Sequence, residues 1–538
     1  MSKSLKIVLA QLNFTVGDIT GNKIKIINAA KQAIDKHSDM IIFPELTLSG
    51  YPPEDLVLRL DFIESINQAL QDIAQETPDI LIVLGHPHRH NDFLFNSAAV
   101  LYQGKIIATH DKQKLPNYGV FDEKRYFHVG HKPTVFTYKN IQFGVTVCED
   151  MWFSEPISQA SHAGAQVMIV INASPFDYQK HKRRLATLRH RIKESQIPII
   201  YCNLIGGQDD LIFDGNSLVM DRNGEICAQA NFAQEQLLTI TLNEDVTINK
   251  QSLPENLAEE AQIYNALVLA TRDYVLKNGF KKVLLGFSGG IDSALTLTIA
   301  MDALGKENVH ALLLPSRFTS DLSLNLALEQ LSLCDVSHQI ISIEPAFQAF
   351  LNTLNLQEND QTTTITAQNI QARCRAILLM ALSNAQGQLL LNTGNKSEMA
   401  VGYCTLYGDM AGAYAVLKDV FKTRVFQLAH YRNSISYVIP QGIIDRPPSA
   451  ELAPEQKDED NIPPYAMLDP ILERYVEKDQ SVKEIMAAGF DEKTIYRIID
   501  LVFRNEYKRR QSPPGPRISP RAFGRERRFP ITSGFFKK

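Results

Sequence analysis

Three residues in the first half of the chain could together do covalent chemistry on an amide: Glu45, Lys112 and Cys148. Each stands just past an apolar run. Glu45 follows I-I-F-P at 41–44, Lys112 follows the run ending near Ala108, and Cys148 follows V-T-V at 145–147. A thiolate is a strong nucleophile, a carboxylate can take its proton and return it to a leaving amine, and an ammonium can steady the developing oxyanion. The set suits attack on an amide or nitrile carbon. Taken singly, the same residues read as a turn acid, a surface cation and a buried strand thiol. Their shared place after strands, with Ser174 likewise after 169–171, is what groups them, because ligands of α/β sheets bind at the carboxyl ends of strands.

A second chemical signal lies at 283–294, V-L-L-G-F-S-G-G-I-D-S-A. Glycines let backbone N–H groups approach an anion, hydroxyls add donors, and the dipole of the helix that follows favours negative charge. The P-loop pattern G-x-x-x-x-G-K-[ST] would supply a lysine to the phosphates, and none is present here. Asp292 would repel bare phosphate, so it makes sense mainly as a Mg²⁺ ligand. An ordinary strand, turn and capped helix is the plain alternative. The six residues 288–293 together, directly after a strand, favour the phosphate cradle.

Positioning these residues requires layered sheets. Apolar runs at 6–12, 40–43, 80–84, 143–147, 167–171 and 199–203 predict strands buried on both faces, with helices such as 23–36 between them. Around 242–255 the alternation gives way to polar residues and Pro254, which predicts a linker. A second α/β unit follows, with a helix over 258–277 and strands at 283–286, 309–314, 338–343 and 389–391. The acidic, proline-bearing stretch 451–464 reads as a surface excursion. The expected domains are 1–246 and 259–538, joined by 247–258.

The 538 residues are 44% apolar and 21% charged with net charge −5, which excludes a disordered chain and a general nucleic-acid binder. No secretory leader or membrane-length apolar stretch is evident, and a cytoplasmic protein is expected. Six scattered cysteines without C-x-x-C spacing read as reduced thiols, most of them in the core. From 504 to 538 there are 11 Lys and Arg against 2 Asp and Glu, a local +9 that leaves −14 on the rest. Arginines grouped with Phe523, Phe529, Phe535 and Phe536 predict a docked tail.

The segments F-P-E-L at 43–46, K-Q-K-L-P-N-Y at 112–118 and V-C-E-D-M-W at 147–152 resemble the three catalytic motifs of the nitrilase superfamily. That resemblance covers roughly the first 245 residues. It implies an α-β-β-α sandwich, with Cys148 as nucleophile, Glu45 as general base, Lys112 as oxyanion support and Glu123 as an accessory acid. The runs 115–127 and 206–217 resemble the glutaminase branch, which implies that Tyr118, Ser174 and Lys180 hold L-glutamine.

The 288–293 loop resembles the ATP pyrophosphatase group, whose doubly wound parallel sheet cleaves ATP between its α- and β-phosphates. L-P-S-R at 314–317, N-I-Q-A-R at 369–373, N-T-G-N-K-S-E at 392–398, Y-G-D-M-A-G at 407–412, P-P-S-A-E-L at 447–452 and E-Y-K-R at 506–509 extend the match. In order, they resemble the glutamine-dependent NAD⁺ synthetase family nearly end to end. The resemblance implies that Gly286, Phe287, Ser288, Gly289, Gly290, Ile291, Asp292, Ser293 and Thr393 bind ATP. It also implies that Asn369, Glu398 and Lys508 bind deamido-NAD⁺, that Asp292 and Glu398 hold Mg²⁺, and that the protein is a homo-oligomer; composition predicts that it binds neither nucleic acid nor membrane. In isolation Thr393 reads as a turn, Asn369 as part of an amphipathic helix face and Lys508 as a solvated charge. Gln368 stands where the pattern leads one to expect an acid. Two other readings stay open: a sister amidotransferase of the same ATP-cleaving group acting on another acceptor, and a non-catalytic sensor of glutamine or nucleotide.

Overall fold

The computed structural model describes residues 4–356, 361–453 and 456–535; Phe536 of the predicted tail lies outside them. The chain divides into two compact units, Met1–Leu257 and Ala258–Lys538. No helix among the described residues is long and apolar enough to cross a membrane.

In the first unit, β1 (Leu5–Gln11), β2 (Met40–Ile42) and β3 (Leu81–His90) run parallel, and β4 (Phe93–Tyr102) and β5 (Lys105–Asp111) extend them antiparallel. A second sheet is built the same way. Antiparallel β6 (Thr134–Tyr138) flanks the parallel trio β7 (Ile141–Val147), β8 (Val167–Asn172) and β9 (Ile199–Asn203). The hairpin β10 (Ile205–Gln208) with β11 (Leu211–Asp214) stands apart, β12 (Leu218–Met220) and β13 (Ile226–Gln229) close the second sheet, and β14 (Gln236–Leu242) closes the first.

Side-chain alternation along a strand explains why these runs are apolar throughout. On β1, Ile7 and Leu9 enter the layer between the sheets with Val145, Val147 and Ile169. Val8 and Ala10 face the other way, against α1 (Ile19–Asp35) and α2 (Leu60–Glu76). Met168 and Val170 pack likewise against α3 (Ser154–His162) and α4 (Lys180–Ser195). The result is the expected α-β-β-α sandwich. Val246 and Ile248 still pack in the inter-sheet core, and Gln251 N donates to Cys227 O, so this unit reaches past residue 246.

The second unit begins with α5 (Glu259–Lys277), then β15 (Val283–Gly286), α6 (Ile291–Leu304), β16 (Val309–Leu313), α7 (Asp321–Cys334), β17 (Ser337–Ile340), α8 (Glu344–Thr353) and α9 (Gln361–Gln386). After these come β18 (Leu389–Asn392), α10 (Lys396–Val401), β19 (Tyr414–Ala415) and α11 (Lys422–Ile435). All five strands are parallel in the order β17-β16-β15-β18-β19. That is a doubly wound sheet whose order reverses between β15 and β18, the place where such sheets bind ligands. Leu284, Leu312 and Leu390 pack against α8 and α9, while α6 lies against β15 and β16.

The stretch 451–464 is not the surface excursion its composition suggests. Asp458 and Ile462 are buried, and Glu451 accepts from Ser320 Oγ and Ser323 Oγ. Glu451 and Asp458 face hydroxyls and cations of the same unit, which composition alone does not reveal. The basic tail is docked as expected: the Arg527 guanidinium lies 3.9 Å from the Phe529 ring centre, and Glu506 pairs with Arg509, Arg510 and Arg527.

Candidate active sites

Four strand ends of the first unit meet at one polar cluster. Glu45 follows β2, Lys112 follows β5, Cys148 follows β7 and Ala173 follows β8. Lys112 Nζ donates to Glu45 Oε1 at 2.7 Å and to Glu123 Oε1 at 2.8 Å, all within the buried interior. Glu45 also accepts from Asn96 Nδ2 at 2.8 Å and, across the sheets, from Ala173 N at 2.8 Å. Tyr51 OH donates to Glu123 Oε1 at 2.9 Å. Gly85 is required here, since a Cβ on it would lie 2.2 Å from Leu46 N.

Cys148 has φ +45°, a left-handed turn rare for a residue with a Cβ, which carries its thiol off the end of β7. Asp150 fixes this turn to the lysine loop. Its carboxylate accepts from Gln113 N (2.9 Å), Lys114 N (2.8 Å) and Val147 N (3.1 Å), with His110 Nε2 at 3.1 Å.

Electrostatics divide the roles. Burial first, then the charge of Glu45, push the Cys148 thiol well above its ordinary range, with Lys112 opposing. The resting sulfur is a thiol that needs a base at the moment of attack. Burial alone would lower the Lys112 ammonium, but Glu123, Glu45 and Cys148 hold it well above the usual lysine value. Glu123 is raised to about 7, chiefly by burial, against the pull of Lys112.

Of the residues expected at the glutamine, Tyr118 donates to Glu149 Oε1 at 2.9 Å. Ser174 is held by Arg184, which is itself clamped by both oxygens of Asp214 at 2.9 and 2.7 Å. Lys180 opens α4 with its ammonium 4.5 Å from the Trp152 ring centre, and burial and then Arg184 bring it down to about 8.

The second unit holds a cavity of about 310 Å³ at the carboxyl ends of β15, β16 and β18. Gly286, Phe287, Ser288, Gly290, Ile291, Asp292, Ser293, Thr393 and Glu398 line it. Gly289 does not. With φ +77° it turns its backbone against α7, where a Cβ would lie 2.5 Å from Ser323 O. The loop knits itself by hydroxyls, with Gly290 N on Ser288 Oγ at 3.2 Å and Ser288 Oγ on Ser293 Oγ at 3.2 Å. Asn369 and Lys508 are absent from the cavity wall. Asn369 accepts from Thr405 Oγ1 at 2.9 Å, and Lys508 Nζ caps Gly402 O and Cys404 O at 2.8 Å each, so Lys508 is not the solvated charge that its isolated reading gives.

Asp292 and Glu398 share a lysine that sequence reasoning missed. Lys422 Nζ donates to Asp292 Oδ2 and lies 3.4 Å from Glu398 Oε1. Asn395 ties the same pair, donating to Asp292 Oδ1 at 3.1 Å and capping α10 in a reciprocal box with Glu398. Burial first, then Asp292 and Asp458, raise Glu398 to about 8 against the pull of Lys422. Among the described residues no group of three or more His, Cys, Asp or Glu forms a metal nest. Two carboxylates on a cavity wall nonetheless fit Mg²⁺, which takes its remaining ligands from phosphates and water.

Asn96, Tyr51 and Lys422 escaped the sequence reading, in which Asp150 stood only as part of the 147–152 motif without a role. Only Asn96 left a trace, in an N-S pair inside the apolar run F-L-F-N-S-A-A-V-L-Y of β4, where burial demands partners.

Comparison with known proteins assigns both units to families. Residues 6–250 match the carbon-nitrogen hydrolase model and residues 263–512 the NAD synthase model. The chain therefore joins an amide-hydrolysing unit to a nucleotide-activating one. A curated glutamine-dependent NAD(+) synthetase of Acinetobacter baylyi is 47% identical over 99% of both chains. The glutamine-dependent NAD⁺ synthetase of Acinetobacter baumannii, solved with ADP, superposes with a TM-score of 0.81 at 45% identity and 99% coverage of each chain. One from Cytophaga hutchinsonii shares the fold, with a TM-score of 0.87 at 21% identity and 99% coverage of each chain. The chain belongs to the glutamine-dependent NAD(+) synthetases, enzymes that carry out an ATP-dependent amidation.

Proposed function

We propose the following division of labour within that reaction. Glu45 takes the proton of Cys148 as the sulfur attacks the side-chain amide of glutamine. Lys112 and a backbone N–H of the turn at 148–152 steady the oxyanion, Glu45 protonates the leaving ammonia, and water then frees glutamate. Tyr118, Ser174 and Lys180 hold the glutamine. In the second unit the 288–293 loop and Thr393 grip ATP, and Asp292 and Glu398 would hold Mg²⁺, which neutralises phosphate charge when bound. Asn369, Glu398 and Lys508 place deamido-NAD⁺ so that its carboxylate meets the α-phosphorus. Pyrophosphate leaves, and ammonia then displaces AMP to give NAD⁺.

The observation that carries this reading is Lys112, buried and shared by Glu45 and Glu123 beside a thiol that needs a base. Labelling the amide nitrogen of glutamine tests the whole scheme: the label must appear in the amide of NAD⁺. Unlabelled product in the presence of labelled glutamine would overturn it. Cytoplasmic location and a homo-oligomer complete the reading. Exposed Ile377 and Met380 on α9 support self-association, which sedimentation of the purified chain measures.

A further inference from the structure

The residue just after Asn395 has a task that neither site reading uses. Lys396 is fully buried at the start of α10, two positions before Glu398. Its ammonium lies 2.6 Å from Asp419 Oδ1 and donates to Glu477 Oε1 at 2.6 Å, Ser519 Oγ at 2.8 Å and Arg521 O at 3.2 Å, over the Phe421 ring at 4.8 Å. The tail is bound to the same acid. Ile518 N, Ser519 N and Ser519 Oγ all donate to Asp419, at 2.8, 2.7 and 2.9 Å.

We propose that Lys396 is a positioning residue for the synthetase site, through which the tail segment 518–521 fixes the 395–398 turn against the nucleotide cavity. This rests on reading that cavity as the ATP and Mg²⁺ site. Three consecutive residues divide the work. Lys396 faces the tail, and Ser397 Oγ accepts from Lys422 N at 2.9 Å and donates to Asp469 at 2.5 Å, capping α11 where Lys422 begins it. Glu398 faces the cavity. A shift of α10 toward the tail would therefore move Asn395, Glu398 and Lys422 together, and all three bear on Asp292 or its partner acid. Stability alone is a poor reason for such a group. Replacing a whole buried ion-pair cluster by apolar side chains is often neutral or stabilising, whereas its directional bonds specify one geometry.

The test uses the full chain with ammonium chloride as nitrogen source, and compares Lys396→Met, Ser519→Ala and Asp419→Asn. Ammonium-driven synthesis should fall about a hundredfold in Lys396→Met, the cost of a misplacement near 1 Å. It should fall about tenfold in Ser519→Ala, one lost bond to a charged group. The Mg²⁺ concentration for half-maximal rate should rise in both, while glutamine hydrolysis measured as glutamate stays unchanged. A merely structural lysine would not move one further readout: the rise in melting temperature caused by MgATP, measured from each variant's own ligand-free value, should shrink. Should Lys396→Met fail to fold, Ser519→Ala and Asp419→Asn carry the same test. Parental turnover and parental MgATP shift in the folded variants overturn the proposal, as does a loss that follows only the unfolded fraction. If Asp292→Ala and Glu398→Ala also keep full synthesis, the cavity reading itself falls. If those two lose it and the tail variants do not, only the positioning role falls.

Discussion

Lys112 in the first unit and Lys422 in the second each sit between two carboxylates, yet their surroundings differ in a way that separates two kinds of chemistry. Around Lys112 the exposure of lysine and Glu45 is zero, and Glu45 has Lys112 and Asn96 on one oxygen and Ala173 N on the other. Around Lys422 the side chains of Asp292 and Glu398 remain 17% and 19% exposed on the wall of a cavity. A proton relay on a small amide profits from a dry site whose partners are already in place, since each charge acts at low dielectric and nothing must reorganise. Acids that serve a metal and a triphosphate must instead stay open to ligands that arrive with their own charge. On the proposed division of labour, the same three-group arrangement is closed for acid–base work and open for phosphate work.

Breaking the closed site at its nucleophile should give the largest effect. Cys148→Ala should lower glutamine-driven NAD⁺ synthesis by at least about 10⁴-fold, as removal of a catalytic nucleophile does, and leave ammonium-driven synthesis intact. Loss of both would show that the two lysine sites are not separable. Breaking the open site gives the converse. Asp292→Ala should reduce synthesis from either nitrogen source by about 10²–10³-fold, the scale for one electrostatic contributor, while glutamate release from glutamine persists. Product formation and glutamate release, read on the same samples, decide both.

The two sites were also unequally legible in the sequence. Glu45, Lys112, Cys148 and the 288–293 loop stand directly after apolar strands, so local pattern sufficed to find them and to predict both sheet layers. The antiparallel flanks were not assigned as strands: in β5, K-I-I-A-T-H-D, the run ending near Ala108 located Lys112, but its first three residues are exposed and do not read as a buried strand. The partners escaped for a different reason. Asn96 lies 51 positions from Glu45, and Lys422 lies 130 from Asp292. A long-range contact between charged residues has no periodicity to betray it. Their chemistry became visible only once the sheet order brought distant strand ends together. Glu451 and Asp458 misled for the related reason that an acidic stretch looks solvated unless its hydroxyl and lysine partners are known.

Smaller changes sharpen the contrast. Asn96→Leu removes one donor from Glu45 without touching substrate. It should lower kcat/KM for glutamine hydrolysis about tenfold and destabilise the fold by about 1.5–3 kcal/mol, the scale for one hydrogen bond to a charged group. Stopped assays of glutamate release and urea unfolding measure the two effects separately. No comparable loss is expected in ammonium-driven synthesis.

The subtlest break concerns Glu123, whose carboxyl burial raises from 4.5 to about 7. When ionised, Glu123 competes with Glu45 for the charge of Lys112 and adds its own, leaving Glu45 a better base. When protonated, it yields the lysine to Glu45 and the base weakens. Glutamine hydrolysis should therefore fall as pH drops through about 7, and Glu123→Gln should flatten that limb at a rate reduced about tenfold or less. Stability runs the other way. A folded pKa above the unfolded one contributes stability in full below about 4.5, and that contribution is lost as pH rises through about 7. Between pH 4.5 and 7 the parent should lose stability relative to Glu123→Gln, while its hydrolytic rate climbs. A pH series of urea midpoints beside the rate profile checks both signs at once. Parallel trends in stability and rate would mean that Glu123 does not share Lys112 in the working enzyme, and the closed site would lose the feature that sets it apart from the open one.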